Sequence, residues 1–258
     1  MTIQSAQNPK VKLVRHLIGS SKSRRERDLF VLEGTRLILD VIEQGHKPAF
    51  ILYRPEMADS IAPLMDKVDC EEVEARALEN LSDTEHSQGL LAVFNIPKLE
   101  LPAKASLILA LDGLNDPGNL GTILRTAAAA GVDGLLLMPG TVDPYNPKVV
   151  RAGMGAHFRL PIIPMEWALL PKRFGKQWQT LLADLPQATS QPYDQQAWDK
   201  PTVLIIGNEA HGLSVYARQM SQQQVHIPMV NGVESLNSAI ASAVILFEVQ
   251  RQRRASLG

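Results

Sequence analysis

From residue 107 onward, four runs are apolar almost without interruption: LILALDGL (107–114), GLLLM (134–138), RLPII (159–163) and TVLIIGNE (202–209). A strand wetted on one side alternates apolar with polar residues. A strand apolar at every position is covered on both faces. Helical stretches separate the runs, so the pattern predicts an α/β fold with a parallel sheet between helices. Ligands of such sheets bind beyond the carboxyl ends of the strands, and the residues that follow the runs become the candidates for a site.

Three segments sit at such ends. In NDPGNLGTILRTAAAAG (Asn115 to Gly131), Asp116-Pro117-Gly118 suits a turn and Asn119 an N-cap for a helix over 120–130. Leu120, Ile123, Leu124 and Ala127 share one face of that helix. Arg125 projects elsewhere, with only Thr122 and Ala129 as small neighbours. It reads equally well as a solvated arginine or as one with room for a substrate. In IIGNEAHGLS (Ile205 to Ser214), Gly207 permits close backbone approach to a ligand. Glu209 stands at a strand end, able to orient a cation or cap a turn, and His211 reads as a loop histidine.

In IPMVNGVESLNSAIASAV (Ile227 to Val244), Ser235 is placed to N-cap a helix running to about Arg254. Its predicted core stripe is Leu236, Ile240, Ala243, Val244 and Phe247, and Arg251, Arg253 and Arg254 complement its dipole. Asn237 in its first turn is costly unless it bonds something, which favours a site role. A fourth stretch, DPYNPKVVRAGMGAHF (143–158), has Asn146 as cap and Pro147 at the first helical position. Gly153 and Gly155 follow within the predicted helix, each at about 1 kcal/mol against alanine.

Residues 1–96 form a separate piece, joined by a proline-bearing, aperiodic linker over 97–106. Predicted strands are 30–32, 49–53 and 90–95; predicted helices are 9–18, 35–44 and 75–80. The formal net charge of −1 hides an asymmetry: residues 1–36 carry eight Lys or Arg against three acids, whereas 37–96 carry four against twelve. A basic segment of this kind suits a polyanion, with Lys10, Lys12, Arg24 and Arg25 as candidate contacts. The single cysteine, Cys70, excludes an intrachain disulfide and a cysteine metal cluster. No apolar run approaches the roughly 20 residues a membrane helix needs. The expectation is a cytoplasmic protein without metal or membrane.

The three segments resemble the motifs of the SpoU (TrmH-type) RNA ribose 2′-O-methyltransferases of the SPOUT superfamily. The matching residues are Asn119 and Arg125, then Gly207-Asn208-Glu209 with Gly212, then Ile227-Pro228 with Ser235-Leu236-Asn237. The resemblance covers about 107–254, and 143–158 is similar to the family's linking helix. SAQNPKVK (5–12) and FVLEGTR (30–36) are similar to the front RNA-binding domain of many members. Ala128 and Gly153 depart from the family, where an aspartate and a serine are common.

The resemblance implies a deep trefoil knot in the C-terminal domain and a small α/β front domain like a ribosomal-protein fold. It further implies a homodimer, and S-adenosylmethionine held around Gly207, Ile227 and Leu236. Arg125, Asn119, Glu209, Ser235 and Asn237 become the implied catalytic set for methyl transfer to a ribose 2′-oxygen. A 2′-hydroxyl makes RNA, not DNA, the substrate, and the front domain favours ribosomal over transfer RNA. Deprotonating an arginine at neutral pH costs roughly 7 kcal/mol or more. A role for Arg125 in gripping a neighbouring phosphate is therefore preferred to one as base. The rival readings are a non-catalytic RNA-binding protein of the same fold and a Rossmann oxidoreductase. GLNDPGNLG lacks the G-x-G-x-x-G spacing that the oxidoreductase requires.

Overall fold

A computed structural model describes residues 2–78, 89–208, 212–221 and 223–255. The first strands and helices are α1 (Pro9–Gly19), α2 (Ser21–Arg27), β1 (Leu29–Glu33), α3 (Thr35–Glu43), β2 (Phe50–Tyr53), α4 (Ala58–Ile61), β3 (Cys70–Glu72), α5 (Ala75–Leu78) and β4 (Leu90–Asn95). There follow β5 (Leu107–Asp112), α6 (Pro117–Ala129), β6 (Gly134–Leu137), α7 (Pro147–Gly153), β7 (Ile162–Pro164), α8 (Leu170–Arg173), β8 (Gln179–Ala183), β9 (Gln191–Pro192), β10 (Thr202–Gly207), α9 (Val215–Met220), β11 (Gln223–His226) and α10 (Ser238–Ala255). No helix among the described residues is long and apolar enough to cross a membrane.

The chain divides into two compact units: Met1–Pro97 with Tyr145–Gly155, and Lys98–Pro144 with Ala156–Gly258. The first holds a four-stranded sheet in the order β1-β4-β2-β3. β4 pairs antiparallel with β1 and β2, and β2 pairs parallel with β3. α1 buries Val11, Val14 and Leu17 on one face, at the i, i+3, i+6 spacing of an amphipathic helix. α7 is counted with this unit, whereas the sequence division leaves it with the second. Arg151 on α7 pairs with Glu33 at 3.6 Å, and Tyr145 lies 5.0 Å from the Phe30 ring. Asn146 caps α7 and Pro147 opens it, as the sequence predicts. Gly155 lies outside the helix instead of within it. Met154 ends the helix in the left-handed region, and Gly155 follows at φ +82° with side chains of Leu37 and Val41 within 3.6 Å of where a Cβ would stand.

The second unit holds seven strands in the order β7-β6-β5-β10-β8-β11-β9, every pair parallel. β5 is buried at all six positions and β10 at all but Gly207. That is the physical content of their unbroken apolar runs: helices cover both faces. α6 packs against α10. α10 buries Ser238, Ala239, Ser242, Ile245, Leu246 and Val249. The predicted stripe is therefore rotated: Ile240 is 50% and Phe247 46% exposed. α10 has apolar residues on several faces, and periodicity alone does not say which face meets the core. At its end Arg253 is drawn inward, donating to the carbonyls of Trp198, Ser106 and Lys200 at 2.9–3.1 Å. Burial pushes its pKa down despite Asp133 and Asp199 nearby. His157 is fully buried and donates Nε2–H to the Pro144 carbonyl at 2.7 Å. Burial lowers its pKa to about 4, although that carbonyl and Asp143 favour the charged form.

Candidate cofactor cavity and its surroundings

A cavity of about 340 Å³ opens in the second unit at the carboxyl ends of three adjacent strands. Ile206 to Asn208 end β10, Ala183 to Pro186 end β8, and Val225 to Ile227 end β11. The opposite wall is Glu234, Ser235 and Leu236 with Ser238, Ala241 and Ile245 of α10. This is the place that parallel-sheet topology assigns to a ligand, and the volume is that of an ordinary small-molecule site. Gly207, Ile227 and Leu236, the sequence candidates for cofactor contact, all line it, as does Ser235.

Local bonding explains the shape. Asn208 and Gly212 exchange backbone hydrogen bonds at 3.0 and 2.8 Å as an isolated antiparallel bridge. A Cβ on Gly207 would stand 2.8 Å from the carbonyl carbon and oxygen of Gly212. The glycine requirement there comes from the chain's own backbone. Gly212 itself sits at φ +65°, where glycine is favoured. The Asn208 amide donates to the Gly113 carbonyl at 2.7 Å, and the buried Asp112 carboxylate accepts from the Ser214 N–H at 2.6 Å. Both tie the residues flanking that bridge to the end of β5. Sequence reasoning passed over Asp112; its signal was an acid ending an otherwise apolar strand. Glu209 and His211 lie outside the described residues.

Two predicted caps are displaced. α6 begins at Pro117, and its cap is Asp116, whose Oδ1 accepts from the Asn119 N–H at 2.7 Å. Asn119 thus sits inside the first turn, which frees its side chain from capping. α10 begins at Ser238, and its cap is Asn237 rather than Ser235: the Asn237 Oδ1 accepts from Ala239 and Ile240 N–H at 2.9 and 3.2 Å. Asn237 Nδ2 then donates to Asn119 Oδ1 at 3.0 Å. One side chain caps α10 and ties its start to the start of α6. This bond, across 118 residues of sequence, joins the first and third segments. Arg125 stands on the exposed face of α6 with Gly118, Thr122 and Ala129, off the cavity wall.

In the first unit, Lys12, Arg15, Arg25 and Arg27 are exposed. Arg24 is not: it is 3% exposed and its Nη1 donates to the carbonyls of Leu17 and Ile18 at the end of α1. It holds two helices together rather than meeting a polyanion. Lys10 is also committed, pairing with Asp69 and Glu71, each at 2.5 Å, with its ammonium 5.1 Å from the Phe50 ring centroid. Burial alone lowers its pKa, but the bonds to the two carboxylates raise it above the usual lysine value. Of the four candidates, Lys12 and Arg25 keep the exposure a polyanion contact needs.

A parallel α/β sheet with a cavity at the ends of three neighbouring strands is the architecture of a ligand-binding domain. The model of the SpoU rRNA Methylase family matches residues 106–247, and that of the MRM3-like substrate binding domain matches residues 8–92. The chain belongs to the SpoU rRNA methylase family. It is similar to the Bacillus subtilis 23S rRNA (guanosine(2553)-2′-O)-methyltransferase RlmP, 31% identical over 96% of this chain and 98% of that one. An uncharacterized tRNA/rRNA methyltransferase of Synechocystis sp. is 37% identical over 99% of this chain and 95% of that one. Among solved structures, the AdoMet-bound rRNA methyltransferase from Sinorhizobium meliloti is similar at TM-score 0.83 and 32% identity, covering 97% of each chain.

Proposed function

We propose that the chain transfers a methyl group from S-adenosylmethionine to a ribose 2′-hydroxyl of ribosomal RNA. The observation that carries this is the cavity that gathers Gly207, Ile227, Ser235 and Leu236, in a chain whose family relatives include an rRNA 2′-O-methyltransferase and an AdoMet-bound rRNA methyltransferase. The cavity suits the cofactor chemically. Ile206, Leu213, Val225, Ile227 and Leu236 offer apolar walls for a purine, and the backbone of the strand ends and the side chains of Asp184 and Ser235 offer polar ones. When bound, S-adenosylmethionine supplies an electrophilic methyl group on a positively charged sulfur.

The chain's own work is alignment, which supplies several kcal/mol when reacting atoms are held about 3–3.5 Å apart. Asn237, bonded to Asn119, fixes where α6 and α10 meet. Arg125, cationic on its exposed face, grips the phosphate beside the reacting ribose; phosphate or water takes the hydroxyl proton. Glu209 is assigned to the same site from its motif alone. Lys12 and Arg25 contact the RNA backbone from the first unit, with Arg15 and Arg27 alongside.

The catalytic species is a homodimer with a trefoil-knotted second unit. The exposed apolar residues Ile240 and Phe247 of α10, with Val230 and Val233 in the segment before it, support the dimer, because a second copy removes exposed apolar surface from water. The test is transfer of labelled methyl from the cofactor to rRNA, lost in Arg125→Ala. Binding of both ligands without transfer establishes instead the non-catalytic RNA-binding reading.

A further inference from the structure

Asp184 ends β8 on the cavity wall, and its side chain is only 11% exposed. Its Oδ2 accepts from Arg218 Nη1 of α9 at 2.6 Å and from Gln187 Nε2 at 3.4 Å. Its Oδ1 accepts the Leu185 N–H at 2.9 Å. Ionised, a carboxylate has about four acceptor sites. Among the described residues, Oδ1 holds that one donor and has room for a second.

The chemistry of that second donor follows from charge. Arg218 already neutralises Asp184 at hydrogen-bond distance, so an incoming ammonium gains little there. A neutral hydroxyl, unlike an ammonium, is not repelled by Arg218 and still donates to an ionised acceptor. In dinucleotide-binding parallel sheets an acid likewise accepts from a ribose hydroxyl. We infer that Asp184 is a cofactor-specificity residue whose carboxylate accepts a hydrogen bond from a ribose hydroxyl of the adenosyl group. Arg218 and the Leu185 N–H hold the carboxylate in place. This rests on the cavity's being the S-adenosylmethionine site.

The experiment is a calorimetric cycle on the full chain, with S-adenosylhomocysteine, its 2′-deoxy and 3′-deoxy analogues, and an analogue lacking the 6-amino group. Wild type is compared with Asp184→Asn and Asp184→Ser, each checked for an unchanged melting profile; two replacements guard against one failing to fold. The expected result is at least about tenfold weaker binding of S-adenosylhomocysteine to both variants. One deoxy analogue binds wild type and variants alike, because the hydroxyl that Asp184 reads is already gone. Equal losses for every ligand make Asp184 a structural strut and overturn the inference. Coupling to the 6-amino group instead of a hydroxyl overturns it as well. If wild type binds none of the four, the cavity assignment itself fails, a different outcome from either.

Discussion

His157 makes acid stability a test of the fold. The imidazole is buried and neutral, donating to the Pro144 carbonyl, and it ionises only near pH 4. In the unfolded chain a histidine ionises near pH 6.5. Between these values the unfolded state binds a proton that the folded state refuses, so stability is whole above about pH 6.5 and drains as pH falls towards about 4. With these two values, linkage removes about 2 kcal/mol between pH 7 and pH 5, and about 3 kcal/mol by pH 4. The assay is urea unfolding followed by tryptophan fluorescence; Trp167, Trp178 and Trp198 all belong to the second unit. His157→Gln keeps an N–H donor but cannot titrate, so it should lose about 2 kcal/mol less than wild type over the same interval. Parallel losses in the two proteins refute the reasoning: His157 then ionises near its ordinary pH, and its burial is not what the structure states.

Removing the α10 cap in Asn237→Ala should cost about 1–2 kcal/mol in urea unfolding. Asn237→Asp keeps the cap but not the donor to Asn119, so near-native stability with impaired turnover is expected; full turnover argues against the tie. Gly207→Ala puts a methyl 2.8 Å from the Gly212 backbone, and calorimetry should find S-adenosylhomocysteine affinity lost while circular dichroism is unchanged. Arg24→Met should lower the melting temperature at the junction of α1 and α2. Lys12→Ala and Arg25→Ala should leave it alone and instead flatten the salt dependence of RNA binding by about one counterion each. Equal effects of all three on RNA affinity would count against the division of the basic segment.

The strands most legible in the sequence were those buried on both faces. β5, β6 and β10 have no polar residue between their ends to confuse the period; Asp112 closes β5 and Thr202 opens β10. β8 and β11 escape the apolar pattern because they begin with polar residues (Gln179, Thr180; Gln223, Gln224). β3, Cys-Glu-Glu, carries no apolar signal, and its place comes from pairing with β2. The caps went astray by two or three residues, since Asp116 and Asn119, or Ser235 and Asn237, are equally good capping types; tertiary geometry chose between them. Charge alone did not separate Arg24 and Lys10 from Lys12 and Arg25. That separation rests on partners distant in sequence, Asp69 and Glu71, or on a helix end that no spacing displays. The cavity wall was legible as Gly207, Ile227 and Leu236, whereas Asp184 belongs to no motif.

Ribose methylation at this cavity leaves a product that alkali distinguishes from a methylated base. A ribose carrying a 2′-O-methyl group cannot cyclise onto the adjacent phosphate, so alkali leaves that linkage intact. Ribosomal RNA incubated with the protein and methyl-labelled S-adenosylmethionine is digested with alkali and fractionated. The expected result is label in alkali-resistant dinucleotides, and none there after incubation with Arg125→Ala. Label recovered wholly in mononucleotides contradicts it, because the methyl group then sits on a base.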